Sequence, residues 1–312
     1  MLWICLIHII PHNNRKIYKD KSLMEKDKIV QRIYSKIEEI PTLSPMLQKI
    51  ISTVASSTAD AHDLTEIISN DPSLTSKVLK VSNSAYYGFQ KEVDNLDRAV
   101  ALLGFNMIRS LAMSVGIIRS LPSRNRAVSF SRERLWIHSL AVATVMKEMA
   151  VMAGKTEEGD SLFVAGLLHD IGKVVLDQFF AEEYQQVLEE SGCLESGSVC
   201  EAEKKYFGRD HGDVGSILLK RWNFPASICS LVAMDHKTEI PEGVNAADVS
   251  MLHIADILSK EAGMGVSESI APSEIPAADT DASKMTDRKI EDLRNFLSGT
   301  KEKIYAFYNS LR

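Results

Sequence analysis

A histidine and an aspartate stand side by side in the stretch Ala165-Gly-Leu-Leu-His169-Asp170-Ile-Gly-Lys173, at the end of an apolar run. A charge next to apolar surface is costly unless it is paired or holds a metal. The chain supplies further groups of the same kind. His138, His211, His236 and Asp256 come from separate segments, each with a helical apolar pattern. Imidazole with carboxylate suits iron, manganese or zinc better than a soft thiolate set would. His138, His169, Asp170 and Asp256 make one candidate divalent-metal set. His211 and His236, together with Asp235, make a second, with Asp170 as the bridge. A metal pair can activate a water and clamp a phosphate displacement. Asp170 and Lys173 are then the candidate catalytic residues, with Lys173 steadying charge on a phosphate or protonating a leaving group. A buried hydrogen-bond network without metal uses the same residues, and spacing alone does not choose between the two.

The elements that must position these groups are helical almost throughout. Ile29, Ile33 and Ile37 recur every four residues, and Pro41 ends that segment. Pro45 opens a helix faced by Leu47, Ile50, Ile51 and Val54. Another short helix stops at Asp71, and Pro72 starts the next, which Gly88 closes. Residues 95–104 and 105–121 give two more. In the second half, Leu135, His138, Val142, Val145 and Met149 share one helical face, so His138 points inward. By itself, a core histidine satisfied by a backbone carbonyl accounts for that position. Asp160 is expected to cap the helix leading to His169, Gly172 to act as a stop, and a following helix to run through Phe180 to Glu190. Asp210 caps the helix whose first turn holds His211. Asp235 and His236 end the segment after Pro225, and Asp256 shares a helix with His253.

This pattern divides the chain. Residues 1–24 read as an N-terminal extension or a mis-called start, with a short interfacial anchor as the alternative. Their apolar run, MLWICLIHII, is too short to span a bilayer. Residues 25–125 form an N-terminal helical bundle and 130–262 a second helical domain. Residues 263–286, rich in Ser, Ala, Asp and Pro, read as a linker. Residues 287–312 form an amphipathic helix interrupted near Gly299. Arg98, Arg109 and Arg119 can bind an anion or simply form a solvated face.

Composition narrows the function classes. Among 312 residues, 36 Lys and Arg face 42 Asp and Glu. That acidic balance argues against a dedicated nucleic-acid surface. Four scattered cysteines without a C-x-x-C argue against a disulfide framework and fit a reducing cytoplasm. Cys193 and Cys200, in CLESGSVC, lack the close-spaced pairs usual for zinc. There is no glycine-rich phosphate loop and no Ser-His-Asp arrangement of recognisable spacing.

Residues 130–260 resemble the HD superfamily of helical metal-dependent phosphohydrolases. The matching pieces are His138 in its helix, His169-Asp170-Ile171-Gly172-Lys173, His211, His236, and Asp256 in LHIADIL. Upstream, IPTLSPMLQKI, NDPSLTSKVLKVSNSAYYGF and NLDRAVALLGFNMIRSLAMSV resemble the HDOD family, the HD-related output domain of bacterial signalling proteins. The likeness covers about residues 35–260. It implies an all-α fold in which an N-terminal helical bundle packs on an HD-like helical domain. It also implies a cytoplasmic regulatory module whose partners are signalling proteins. Many HDOD domains have lost metal ligands and have no established catalysis, whereas here the principal ligand positions are filled. The chain departs from the cyclic-dinucleotide phosphodiesterase branch: after His236 it reads Lys-Thr-Glu-Ile-Pro, with no Gly-Tyr-Pro. Asp235 stands where that branch often has a paired histidine, which puts the second metal set in doubt.

Overall fold

The structure, a computed structural model, describes residues 28–52, 61–121, 126–191, 199–265 and 275–311. The expectations for residues 1–24 and for Cys193 lie outside them. Among the described residues the fold is all helical, with no strand. The first helix, α1, is described over 28–39. It is followed by α2 (Pro45–Ser52), α3 (Ala61–Ser69), α4 (Pro72–Ser82), α5 (Leu96–Leu103) and α6 (Phe105–Ser120). The second half holds α7 (Arg132–Met152), α8 (Gly159–Leu168), α9 (Ile171–Phe179), α10 (Ala181–Ser191), α11 (Val199–Phe207) and α12 (His211–Arg221). Then come α13 (Ala226–Ala233), α14 (Ala246–Glu261), α15 (Ala277–Ser283) and α16 (Asp287–Leu311).

The axis of the fold is α7. Its sequence carries Ala, Val, Leu, Ser and Thr on every face, and from Leu135 to Met146 every residue is buried. A helix apolar all round belongs inside a protein, so the single face read from the sequence understates it. Helices α8, α14 and α16 pack around it. Among the described residues, α7 is the one single helix long and apolar enough to cross a membrane, and most of it is covered by the fold. The pair α5 and α6 passes that test only jointly, and it is bent by 118°, with Gly104 between them at φ +84°.

Several local expectations change. Glu158, not Asp160, precedes α8 and makes no side-chain cap; Asp160 instead accepts from Lys147 Nζ at 2.7 Å. The helix after the His-Asp doublet breaks at Phe180, whose ring is buried against Phe207. Gly299 does not interrupt α16, which is continuous. Cys200, at the end of the Gly/Ser-containing stretch CLESGSVC that reads as a loop, lies in the first turn of α11. Within the segment read as a linker, residues 277–283 form α15, docked on α14. The apolar anchors of this segment are Ile275 before the helix and Met285 after it, while the helix itself is polar, so composition alone conceals the docking. Asp279 faces His253 Nδ1 at 3.3 Å, and the other ring nitrogen of His253 lies 3.0 Å from the Met234 carbonyl.

Two devices hold the halves together. Helix α16 packs on both α4 and α7, and Tyr86 meets Phe307 edge to face. The seam before α7 is pinned by Asp177 of α9, which is fully buried. One of its oxygens accepts from the backbone N–H groups of Arg126 and Ala127 at 2.8 and 2.7 Å. The other accepts from Arg132 Nε and Nη2 at 3.0 and 2.6 Å.

Asp177→Ala strands a buried guanidinium and two backbone donors, so it is expected to destabilise the fold by about 3–5 kcal/mol in urea unfolding. An unchanged midpoint would refute the role given to this carboxylate. The α15 contact depends on pH. Burial opposes charge on His253, but the Asp279 hydrogen bond, the Met234 carbonyl and the Asp279 charge outweigh it and raise the pKa. The pair therefore contributes fully below the ordinary histidine value of about 6.5 and fades as pH rises through the raised folded value. The stability difference between the native chain and His253→Gln, followed from acid to alkaline pH, should shrink upward; a difference that grew would contradict it.

Candidate metal centre

The His-Asp doublet occupies the junction between two helices. His169 closes α8 and Asp170 precedes α9 without capping it, so its carboxylate is left to reach the interior. Gly172 is no stop; it lies in the first turn of α9. A Cβ there would collide with the His211 carbonyl and come within 2.8 Å of Gly215 N. The glycine lets α9 and α12 touch backbone to backbone, which brings His211 to Asp170. His211 is the first residue of α12, after the Asp210 cap that accepts from Asp213 N. Asp235 and His236 lie in the turn after α13, where His236 adopts φ +59°.

All six histidines and aspartates expected from the sequence converge, with Asp235 among them. His138 Nε2 is 2.9 Å from Asp256 Oδ1, and its ring lies 5.3 Å from that of His169. His169 Nε2 is 3.5 Å from Asp170 Oδ2. His211 Nε2 lies 3.2 Å from both Asp170 Oδ1 and Asp235 Oδ2. His236 closes the ring, with Nε2 3.4 Å from Asp235 Oδ2 and Nδ1 3.9 Å from Asp256 Oδ2. Six of these seven residues are buried; His236 keeps 30% of its side chain exposed. Lys173 Nζ sits 2.9 Å from Asp170 Oδ2, and Lys260 Nζ sits 2.6 Å from Asp256 Oδ2.

The outer nitrogens of three imidazoles are each tied to an acceptor. His138 Nδ1 faces the Met264 carbonyl at 3.2 Å, and His169 Nδ1 faces the Gly166 carbonyl at 2.7 Å. His211 Nδ1 faces Glu203 Oε2 at 2.6 Å, and the same oxygen accepts from the His211 backbone N–H at 2.8 Å. With Nδ1 donating outward, Nε2 presents a lone pair to the cluster, which is the arrangement of metal-ligating histidines. His169 Nε2 is buried with no hydrogen-bond partner, as is Asp235 Oδ1. At His138 a neutral ring has one N–H for two facing acceptors, so one contact needs a second proton or a cation. Burial lowers the His138 pKa despite Asp256 beside it, which opposes the second proton.

Electrostatics keep the carboxylates charged. Burial would raise Asp170 and Asp256, but His169 and Lys173 at the first, and Lys260 and His138 at the second, hold both well below the usual carboxylate range. Burial also opposes charge on His211, yet Glu203, Cys200 and Asp170 raise that imidazole well above its ordinary value, so its Nε2 carries a proton that an incoming metal must displace. Three donor groups result among the described residues: His138/His169/Asp170 and Asp170/His211/Asp235, which share Asp170, and Cys200/His211/His236; Asp256 reaches them through His138 and belongs to none. Their composition and spacing allow a divalent metal. His253 does not join them. The chain's own reading missed Glu203, Lys260 and the two carbonyls. Glu203 had a signal: it lies on the four-residue stripe Val199, Glu203, Phe207, all buried, on an otherwise polar helix.

A family model described as the HDOD domain matches residues 40–238. A protein of Treponema pallidum (strain Nichols), itself without a described function, is 26% identical over 210 residues. That match covers 67% of this chain but 40% of the relative. Among solved structures, an HDOD domain protein of unknown function from Geobacter sulfurreducens is 24% identical with a TM-score of 0.76, covering 93% of this chain and 99% of that one. A candidate signal transduction protein from Marinobacter aquaeolei VT8 is 21% identical with a TM-score of 0.76, covering 92% and 66%. A candidate phosphohydrolase from Shewanella amazonensis SB2B is 20% identical with a TM-score of 0.71, covering 90% and 98%. At these identities the likeness concerns the fold.

Because the contact at Gly172 is with backbone, no rotamer change relieves an added methyl. Gly172→Ala is expected to cost at least about 1–3 kcal/mol and to separate α9 from α12. Equal urea midpoints for the variant and the native chain would refute that packing role.

Proposed function

The chain belongs to the HDOD family, and on that premise we propose that it is a regulatory output module of bacterial signal transduction. It acts in the cytoplasm through contacts with signalling proteins and carries a divalent ion as a structural element. The observation that carries this reading is closure. Six of the seven imidazole and carboxylate residues are buried, and Lys173 and Lys260 each occupy an oxygen of a ligand carboxylate. Donors sealed from solvent give a phosphate ester little access, which favours a structural ion over turnover. His138, His169, Asp170, His211, Asp235 and Asp256 would hold the ion, with His236 at the solvent edge. Three imidazoles among them favour iron, manganese or zinc. The acidic balance of the chain speaks for protein partners over nucleic acid.

A second reading, a metal-dependent phosphohydrolase acting on a nucleotide or other phosphate ester, is favoured by the two donor groups that share Asp170. A bound ion supplies Lewis acidity there. Asp170 would hold the reacting site together, and Lys173 would have to leave Asp170 to meet a phosphate.

Protein purified without chelator should contain iron, manganese or zinc, and its melting temperature should fall when the ion is stripped. A panel of phosphate esters and cyclic dinucleotides should show no turnover. Turnover that disappears in His169→Ala would replace the first reading with the second, and metal-free protein that melts unchanged with or without added ions would remove the structural ion.

A further inference from the structure

Asp170 and Asp256 are treated alike by the fold. Each turns Oδ1 toward an imidazole Nε2, His211 at 3.2 Å and His138 at 2.9 Å. Each gives Oδ2 to a lysine ammonium, Lys173 at 2.9 Å and Lys260 at 2.6 Å. Both lysines are buried at the side chain, with 2% and 5% exposed. Lys260 reaches Asp256 from one turn further along the same helix, α14, so the pairing is built into the i, i+4 spacing. We propose that Lys260 is a specificity-determining residue, fixing Asp256 as a single-oxygen donor and so selecting an imidazole-seeking transition metal over magnesium or calcium.

The inference rests on the metal-bearing reading above. Calcium takes six to eight oxygen ligands, some from bidentate carboxylates, and magnesium demands an oxygen octahedron. With one oxygen of Asp170 and one of Asp256 held by an ammonium, these two carboxylates offer a single oxygen each beside three imidazole nitrogens and Asp235. The two ammonium groups also offset two carboxylate charges, which weakens the pull on a hard cation. Iron, manganese and zinc accept such a set. Lys260 adds the half of this arrangement that the His-Asp doublet and Lys173 do not contain.

The test is metal binding by calorimetry on the full chain, with Mn²⁺, Zn²⁺, Mg²⁺ and Ca²⁺ each added alone. Lys260→Met keeps the buried stem and removes the charge; Lys260→Gln keeps a donor and guards against a variant that fails to fold. In both, affinity for Mg²⁺ or Ca²⁺ relative to Zn²⁺ should rise about tenfold or more, the scale on which groups behind metal ligands act. Lys260→Arg should restore the native ratio. A merely structural lysine would weaken all four ions together, and an unchanged ratio overturns the assignment while leaving the bound ion in place. No binding of any ion by the native chain or the variants overturns the ion and the assignment together.

Discussion

Burying three aspartates and three imidazoles among packed helices is the constraint around which this molecule is arranged. Each carboxylate taken out of water demands a positive partner or a strong hydrogen bond. The fold meets the demand with groups drawn from four helices and the turn after α13. Asp170 has Lys173 and His211, Asp256 has Lys260 and His138, and Asp235 has His211 and His236. The tight approach of α9 to α12 at Gly172 follows from this demand, since a wider gap would leave the charges solvated but unpaired.

The same constraint explains what could be read from residue order. Helical content and the apolar faces were legible because burial repeats every three to four residues in α2, α4 and α16. His138, His169, Asp170, His211, His236 and Asp256 were legible because imidazole and carboxylate on apolar faces are chemically conspicuous. Glu203 was harder to see despite its buried stripe, since it stands among Glu201, Lys204 and Lys205, which face solvent. The Gly166 and Met264 carbonyls have no signature at all: backbone acceptors belong to every residue, and only the path of the chain decides where they point. Docking of α15 was hidden for a related reason. Its attachment uses Asp279, a residue type that in sequence marks a solvated linker.

The division of labour between the halves is also physical. The N-terminal helices are short, capped by Asp71 and Asn95, and packed chiefly through aliphatic residues. The second half carries the buried ionic groups and surrounds them with α7, α8, α9, α12 and α14. Because α16 lies against both α4 and α7, a change of spacing around α7 has a direct mechanical route into the first half.

The connection leaving α14 adds another dimension. Met264 holds the outer nitrogen of His138, and Gly265, at φ +85°, lies so close to His138 that a Cβ there would come within 2.8 Å of the ring's own Cβ and collide with the Arg134 carbonyl. Residues 264 and 265 thus bear directly on an imidazole: any side chain added at Gly265 would displace His138 and disturb its contact with the Met264 carbonyl. The interior centre is in that sense bounded by the first residues that follow α14.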